Sequence, residues 1–247
     1  MSRFKLVCQY DGSNFSGWQS QKSARTVQDE LERVLILLNH GDLVRVVGSG
    51  RTDAGVHALG QVAHFNMETD MGTCELRDAL NGNLPEDCHV NLVEVTDSNF
   101  HARFSALHRD YIYSCRQDRY LLDRNTVWYT GNLDVSKLNN AAKIMVGDHD
   151  FLSFSKRNQE TENTNCTIFQ SQWKESSKIV SYYVSANRFL HHMVRYLVGT
   201  MVAISRGIYT IKEFKELLNH PKHDAQIYRA PANGLVLDHV SYEYHQQ

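Results

Sequence analysis

The sequence predicts an α+β fold of mainly antiparallel sheet with helices packed on one face, in two related halves, residues 1–100 and 101–247. Three observations predict it. Strand-like alternation and helix-period stripes take turns along the whole chain. Successive strands are joined by short turns or by a single helix, which suits antiparallel pairing. The order of elements in the first half returns in outline in the second, although no sequence repeat of fixed period is present.

The elements follow in order. Phe4 to Tyr10 alternates, with Phe4, Leu6, Cys8 and Tyr10 on one face of a strand. DGSNFSGWQSQ is a loop rich in glycine and serine. Thr26 then caps a helix whose first turn holds Asp29 and Glu30, where the dipole favours negative charge. Val27, Leu31, Val34, Leu35 and Leu38 form its buried stripe. LVRVVG is a strand entering a glycine loop and GQVAHFN a strand leaving it. CELRDALNG is a short helix closed by Gly82, and HVNLVEV is a strand.

In the second half RDYIYSCRQ and VWYT read as strands and VSKLNNAAKIMV as a helix. TIFQSQWK and KIVSYYVSA read as a hairpin. FLHHMVRYLVGTMVAIS is a long helix, TIKEFKELLN a shorter one, and GLVLDHVSYEY, ending at Tyr244, the final strand.

Composition sets outer bounds. The 42% hydrophobic and 10% aromatic content over 247 residues suffices for a core and argues against disorder. No apolar run approaches the roughly 20 residues of a membrane helix. The opening MSRFKLVCQYDG turns polar too early for a signal peptide, so a soluble, cytoplasmic protein is expected. Cys8, Cys74, Cys88, Cys115 and Cys166 are far apart and form no CxxC pair, which suits free thiols in a reducing compartment. Net charge is −2, a weak sign for a nucleic-acid binder. Basic residues nevertheless cluster, at Arg103, His108 and Arg109, at Lys156 and Arg157, and at Arg188, His191, His192 and Arg195.

The stretch GSGRTDAGVHALGQVAHF, Gly48 to Phe65, holds one carboxylate, Asp53. A phosphate loop would need the Walker pattern, which is absent, and Asp53 would repel the anion. An Asp that merely folds its own turn is the common case. A reactive group on a loop held between strands is the other reading, with glycines that let a substrate come close. Ordinary glycoside hydrolysis needs a second carboxylate about 5–10 Å away, and no second acid stands in comparable context. A lone carboxylate can act as a nucleophile if a cation keeps it ionised.

RTDAGVHALGQVAHF resembles the signature loop of the TruA family of tRNA pseudouridine synthases. YDGSNFSGWQSQ with TVQDELERVL, ALNGNLPEDCHV, FHARFSALHRDYIY, DFLSFSK, ANRFLHHMVRYLVGTMV and APANGLVL are similar to further family segments, in order along the chain. The resemblance implies two ferredoxin-like halves sharing a central sheet, with the active site in the cleft between them. It implies isomerisation of uridine to pseudouridine in the tRNA anticodon stem-loop, at uridines 38 to 40, with no cofactor and no metal, by a homodimer. No membrane partner is expected.

By position in the family motifs, Asp53 is the expected nucleophile, and whether it attacks sugar or base stays open. Tyr111 is the pocket tyrosine, able to stack on uracil and relay the C5 proton; a buried strand aromatic is the alternative, shared with Tyr113. Arg195 is expected to pair with Asp53, against the commoner fate of an arginine solvated on an amphipathic helix. Gly199, one turn on, would permit close approach beside it. Arg51 and Arg103 are implied RNA contacts near an extruded nucleotide. Leu237 is the implied pocket floor, or simply an inward residue of the last strand. His191 and His192, adjacent on the expected helix, would point about 100° apart and share no ion.

Overall fold

The structure is a computed structural model and describes residues 1–156 and 163–243. Arg157 and Tyr244 lie outside the described residues. The chain forms two compact units, Met1–Leu107 with Leu237–Gln247, and His108–Val236. Each is α+β.

In the first unit, β1 (Ser2–Tyr10) lies between β4 (Cys88–Val95) and β3 (His57–Met67), antiparallel to both. The two-residue β2 (Val47–Gly48) pairs with β3. The last strand, β10 (Leu235–Ser241), also neighbours β3, and the chain returns to this unit within it, at Leu237. The alternation read from Phe4 to Tyr10 is realised: Phe4, Leu6, Cys8 and Tyr10 are buried. In α1 (Val27–Leu38), Val27, Leu31, Val34 and Leu35 of the expected stripe are fully enclosed. Thr26 caps α1, its Oγ1 accepting the Asp29 N–H at 3.2 Å.

The expected strand over LVRVVG shrinks to two residues for a local reason. The Val46 N–H donates to Glu32 Oε1 (3.0 Å) and the Val46 carbonyl accepts from Gln28 Nε2 (3.1 Å). Both backbone groups are thus held by side chains of α1 instead of a strand partner. Helix α2 (Thr73–Asn83) contains Gly82 and does not end on it. It ends at Leu84, which is extended because Pro85 follows.

In the second unit, β5 (His108–Arg116), β9 (Ile179–Ala186), β8 (Asn165–Ser176) and β7 (Gly147–Asp150) lie in that order and pair antiparallel. The short β6 (Trp128–Tyr129) runs parallel to β5. Helices α3 (Val135–Ile144), α4 (Met193–Ser205) and α5 (Ile211–Asn219) complete the unit. The core joins Tyr113, Cys115, Trp173, Val180 and Tyr182 of the sheet to Leu138, Leu197, Val198, Met201 and Phe214 of the helices. Helix α5 opens on a capping box, Thr210 with Glu213.

Helix α4 starts at Met193, four residues later than the apolar pattern from Phe189 suggests. His192 takes a left-handed conformation, φ 63°, and breaks the helix there. Among the described residues no helix is long and apolar enough to cross a membrane.

Candidate active site

Asp53 sits in the turn between β2 and β3, half-buried, with Arg51 exposed two residues before it. The turn is fastened to the opening loop. Trp18 N–H donates to the Thr52 carbonyl (3.1 Å), and Gly55 N–H to the Phe15 carbonyl (3.3 Å). The Thr52 hydroxyl shares a hydrogen bond with the Tyr10 hydroxyl (2.8 Å), and both side chains are buried. His57 Nδ1 accepts the Gly12 N–H at 3.0 Å.

Two glycines of the opening loop allow this contact. A Cβ on Gly12 would lie 2.1 Å from the Val56 carbonyl oxygen. One on Gly17, at φ 96°, would lie 2.6 Å from the Thr52 carbonyl oxygen. On the strand side, Ser49 N–H bonds to the Val62 carbonyl (2.7 Å), and the Ser49 hydroxyl donates to Gln61 (2.7 Å). The carboxylate of Asp53 is therefore carried on backbone that is held from both sides. That is what a group with one task in one place requires.

Arg103 and Leu237 belong to the same unit. Arg103 is exposed on the turn between β4 and β5, with its guanidinium 5.6 Å from the Phe104 ring. Leu237, in β10, is 1% exposed.

The other two expected residues lie in the second unit. Tyr111 is on β5, opposite Val184 of β9, and its ring meets Phe189 edge-on at 5.1 Å. Both tyrosines of this face are buried, Tyr111 9% exposed and Tyr113 fully enclosed, and the Tyr113 hydroxyl donates to the Pro231 carbonyl (3.0 Å). Burial raises the Tyr113 phenol far above its ordinary range.

Arg195 is 9% exposed, so the solvated reading does not describe it. Its Nε donates to the Ala230 carbonyl at 2.9 Å. The segment Tyr228–Ala230 crosses α4 at Gly199, where an added Cβ would stand 2.3 Å from the Tyr228 carbonyl oxygen. Gly199 thus lets that segment reach Arg195.

His191 and His192 do not diverge as two helical neighbours would. They precede α4, and their rings lie 4.0 Å apart at 32°. The left-handed turn at His192 brings them face to face.

Three further residues shape the site without an obvious mark in the sequence: Tyr10, Thr52 and His57. The signal that could have found them is Gly12 and Gly17, whose positions in the opening loop require a close backbone neighbour.

The family described as tRNA pseudouridine synthase matches residues 6–105 and 141–243, which include both Asp53 and Arg195. The chain belongs to the tRNA pseudouridine synthase family. Similar relatives are each called tRNA pseudouridine synthase A. That of Geobacillus kaustophilus is 38% identical, over 98% of this chain and 95% of its own. That of Afipia carboxidovorans is 40% identical, over 98% and 100%. That of Bacillus subtilis is 37% identical, over 98% and 99%. Among solved structures, a Cbf5-Nop10-Gar1 complex covers 80% of this chain and 53% of that chain at 9% identity, with a TM-score of 0.36. The family match thus rests on sequence along nearly the entire chain, and it includes the Asp53 loop.

Proposed function

We propose that this synthase isomerises uridine to pseudouridine in the anticodon stem-loop of tRNA, at uridines 38 to 40, with Asp53 as nucleophile. The observation that carries this reading is the placement of Asp53. It is the one carboxylate of the Gly48–Phe65 stretch, and it stands on a turn whose backbone is fastened from both flanks.

The reaction breaks the bond between uracil N1 and the sugar, turns the base, and joins C5 to the same sugar carbon. The C5 hydrogen leaves as a proton and N1 gains one. No water is activated and no group leaves the site, so a single carboxylate suffices. Asp53 forms a transient covalent bond, to sugar or to base, which breaks again once C5 is joined or the base is released to turn, so the carboxylate is regenerated. Arg195 pairs with it and keeps it ionised. The bond from Arg195 Nε to Ala230 anchors the guanidinium for that task. Tyr111 stacks on the turning base and relays the C5 proton.

This reading requires residues of both units, Asp53 of the first with Tyr111 and Arg195 of the second, to act on one substrate. Arg51 and Arg103 hold RNA whose target nucleotide has been extruded, at about a few kcal/mol. Leu237 lines the pocket floor. No cofactor or metal takes part. The protein works in the cytoplasm as a homodimer, which pools scattered basic residues on a chain of net charge −2.

The test is tritium release from tRNA labelled at uracil C5, followed by mapping of the modified position. Release with pseudouridine in the anticodon stem-loop is expected. Release from another region would overturn the positional assignment. No release from any tRNA would overturn the reaction.

A further inference from the structure

The turn Ser98–Ser105 is held in place by an unusual number of side chains. Arg3 Nη1 donates to the Ser98 carbonyl and to the Phe100 carbonyl, the latter at 3.0 Å. The Tyr242 hydroxyl donates to the Ala102 carbonyl (2.7 Å). Two histidines act as acceptors through Nδ1. His64 takes the Ala102 N–H at 3.1 Å, and His101 takes the N–H groups of Arg103 (3.2 Å) and Phe104 (3.3 Å).

The rings follow one another in tilted contact, at 58° and then 34°. His64 to His101 is 4.7 Å between centroids, and His101 to Phe104 is 4.4 Å. The series runs from His64, 5% exposed, to Phe104, 76% exposed. Next to that outer ring lies the Arg103 guanidinium, 5.6 Å from its centroid.

A large apolar ring on a firmly anchored turn costs little entropy to present, because its backbone is already ordered. We infer that Phe104 is an RNA-stacking residue, its ring braced by His101 and His64 to receive an unpaired nucleobase, with Arg103 beside it on a phosphate. The inference rests on the RNA substrate proposed above.

The surroundings favour a base over a protein surface. Protein interfaces centre on contiguous apolar area depleted in charge. Phe104 stands between Arg103 and Ser105, with His101 against it. One aromatic face with one cation matches the unit that single-stranded RNA offers, a flat base joined to a charged phosphate. Extrusion of a target nucleotide also leaves neighbouring bases without a stacking partner, which Phe104 would supply.

The experiment uses the full chain and a fluorescein-labelled anticodon stem-loop RNA as probe, with affinity read by anisotropy at several salt concentrations. Phe104→Ala is expected to weaken binding about tenfold with the salt dependence unchanged, since a stack carries no counterion release. Phe104→Trp is expected to keep wild-type affinity, and its added emission should be quenched by RNA. His101→Asn preserves an acceptor for the turn while removing the brace, and is expected to fall between the two. Wild-type affinity in Phe104→Ala would overturn the inference. So would equal losses in the Ala and Trp variants, which mark a packing role. So would a change in oligomeric state at unchanged RNA affinity, which marks a protein contact. If the wild-type chain binds RNA but releases no tritium, the proposed reaction fails while the stacking result still decides the inference. If it binds no RNA, both fall.

Discussion

Arg195 and Ala230 hold each other by two reciprocal hydrogen bonds, the Ala230 N–H donating to the Arg195 carbonyl and the Arg195 Nε to the Ala230 carbonyl, each at 2.9 Å. The arginine backbone and side chain are therefore fixed by one residue of a crossing segment. Gly199 permits the crossing. Gly199→Ala forces a Cβ to 2.3 Å from the Tyr228 carbonyl oxygen and must displace that segment. Stability should fall by about 1–3 kcal/mol, the usual cost of overpacking. Loss of kcat should exceed any rise in KM. Urea unfolding together with steady-state kinetics checks both. Gly82→Ala is the control: a Cβ there meets nothing within 4 Å, and stability should rise by about 0.5–1 kcal/mol at unchanged activity.

The two tyrosines of β5 should separate cleanly. Tyr113→Phe removes the hydrogen bond to the Pro231 carbonyl and should cost about 1 kcal/mol of stability while leaving kcat near wild type. Tyr111→Phe should lower kcat by about 10²-fold or more if its hydroxyl relays the proton. Melting curves and single-turnover rates on the same preparations decide between them.

Gly17→Ala acts on Asp53 at one remove. Gly17 combines φ 96° with an approach to the Thr52 carbonyl that leaves no room for a side chain. The substitution should shift the Asp53 turn and reduce kcat by about 10²-fold, the penalty for misplacing a reacting group by about 1 Å. RNA affinity should stay within about threefold, since the turn supplies only part of the contact area. Equal losses in affinity and kcat would contradict this.

His64 should make stability depend on pH. Burial first, then the neighbouring His101 and Arg3, push its pKa from 6.5 down to about 4. The folded state therefore binds fewer protons than the unfolded chain between those values, so stability declines as pH drops through that window. His64→Asn keeps an acceptor for the Ala102 N–H and removes the titrating ring. Its stability should be less sensitive to pH over the same range. Urea unfolding at either end of the window measures the difference.

Much of this was legible in the sequence because local patterns governed it. The stripe of α1, its Thr26 cap and the alternation of β1 needed no tertiary information. Where a distant partner decided the outcome, the pattern misled. The run from Phe189 is apolar at helical spacing, yet His192 turns left-handed and α4 starts after it. The LVRVVG strand is cut short because Glu32 and Gln28 take the backbone groups of Val46. In the candidate site, Asp53 stood out by chemistry and context. The surroundings of Arg195 did not, since its burial and its bond to Ala230 depend on a segment 35 residues away in sequence.

The central claim is that the Asp53 carboxylate performs the isomerisation. The direct measurement is single-turnover tritium release from a C5-labelled anticodon stem-loop by wild type and Asp53→Asn, with RNA affinity measured in parallel. Asn keeps the size and the turn geometry but cannot act as a nucleophile. The account predicts no detectable release by the variant at an RNA affinity within about tenfold of wild type, or about 1.4 kcal/mol. Release by a folded Asp53→Asn protein at a rate near that of wild type would contradict it.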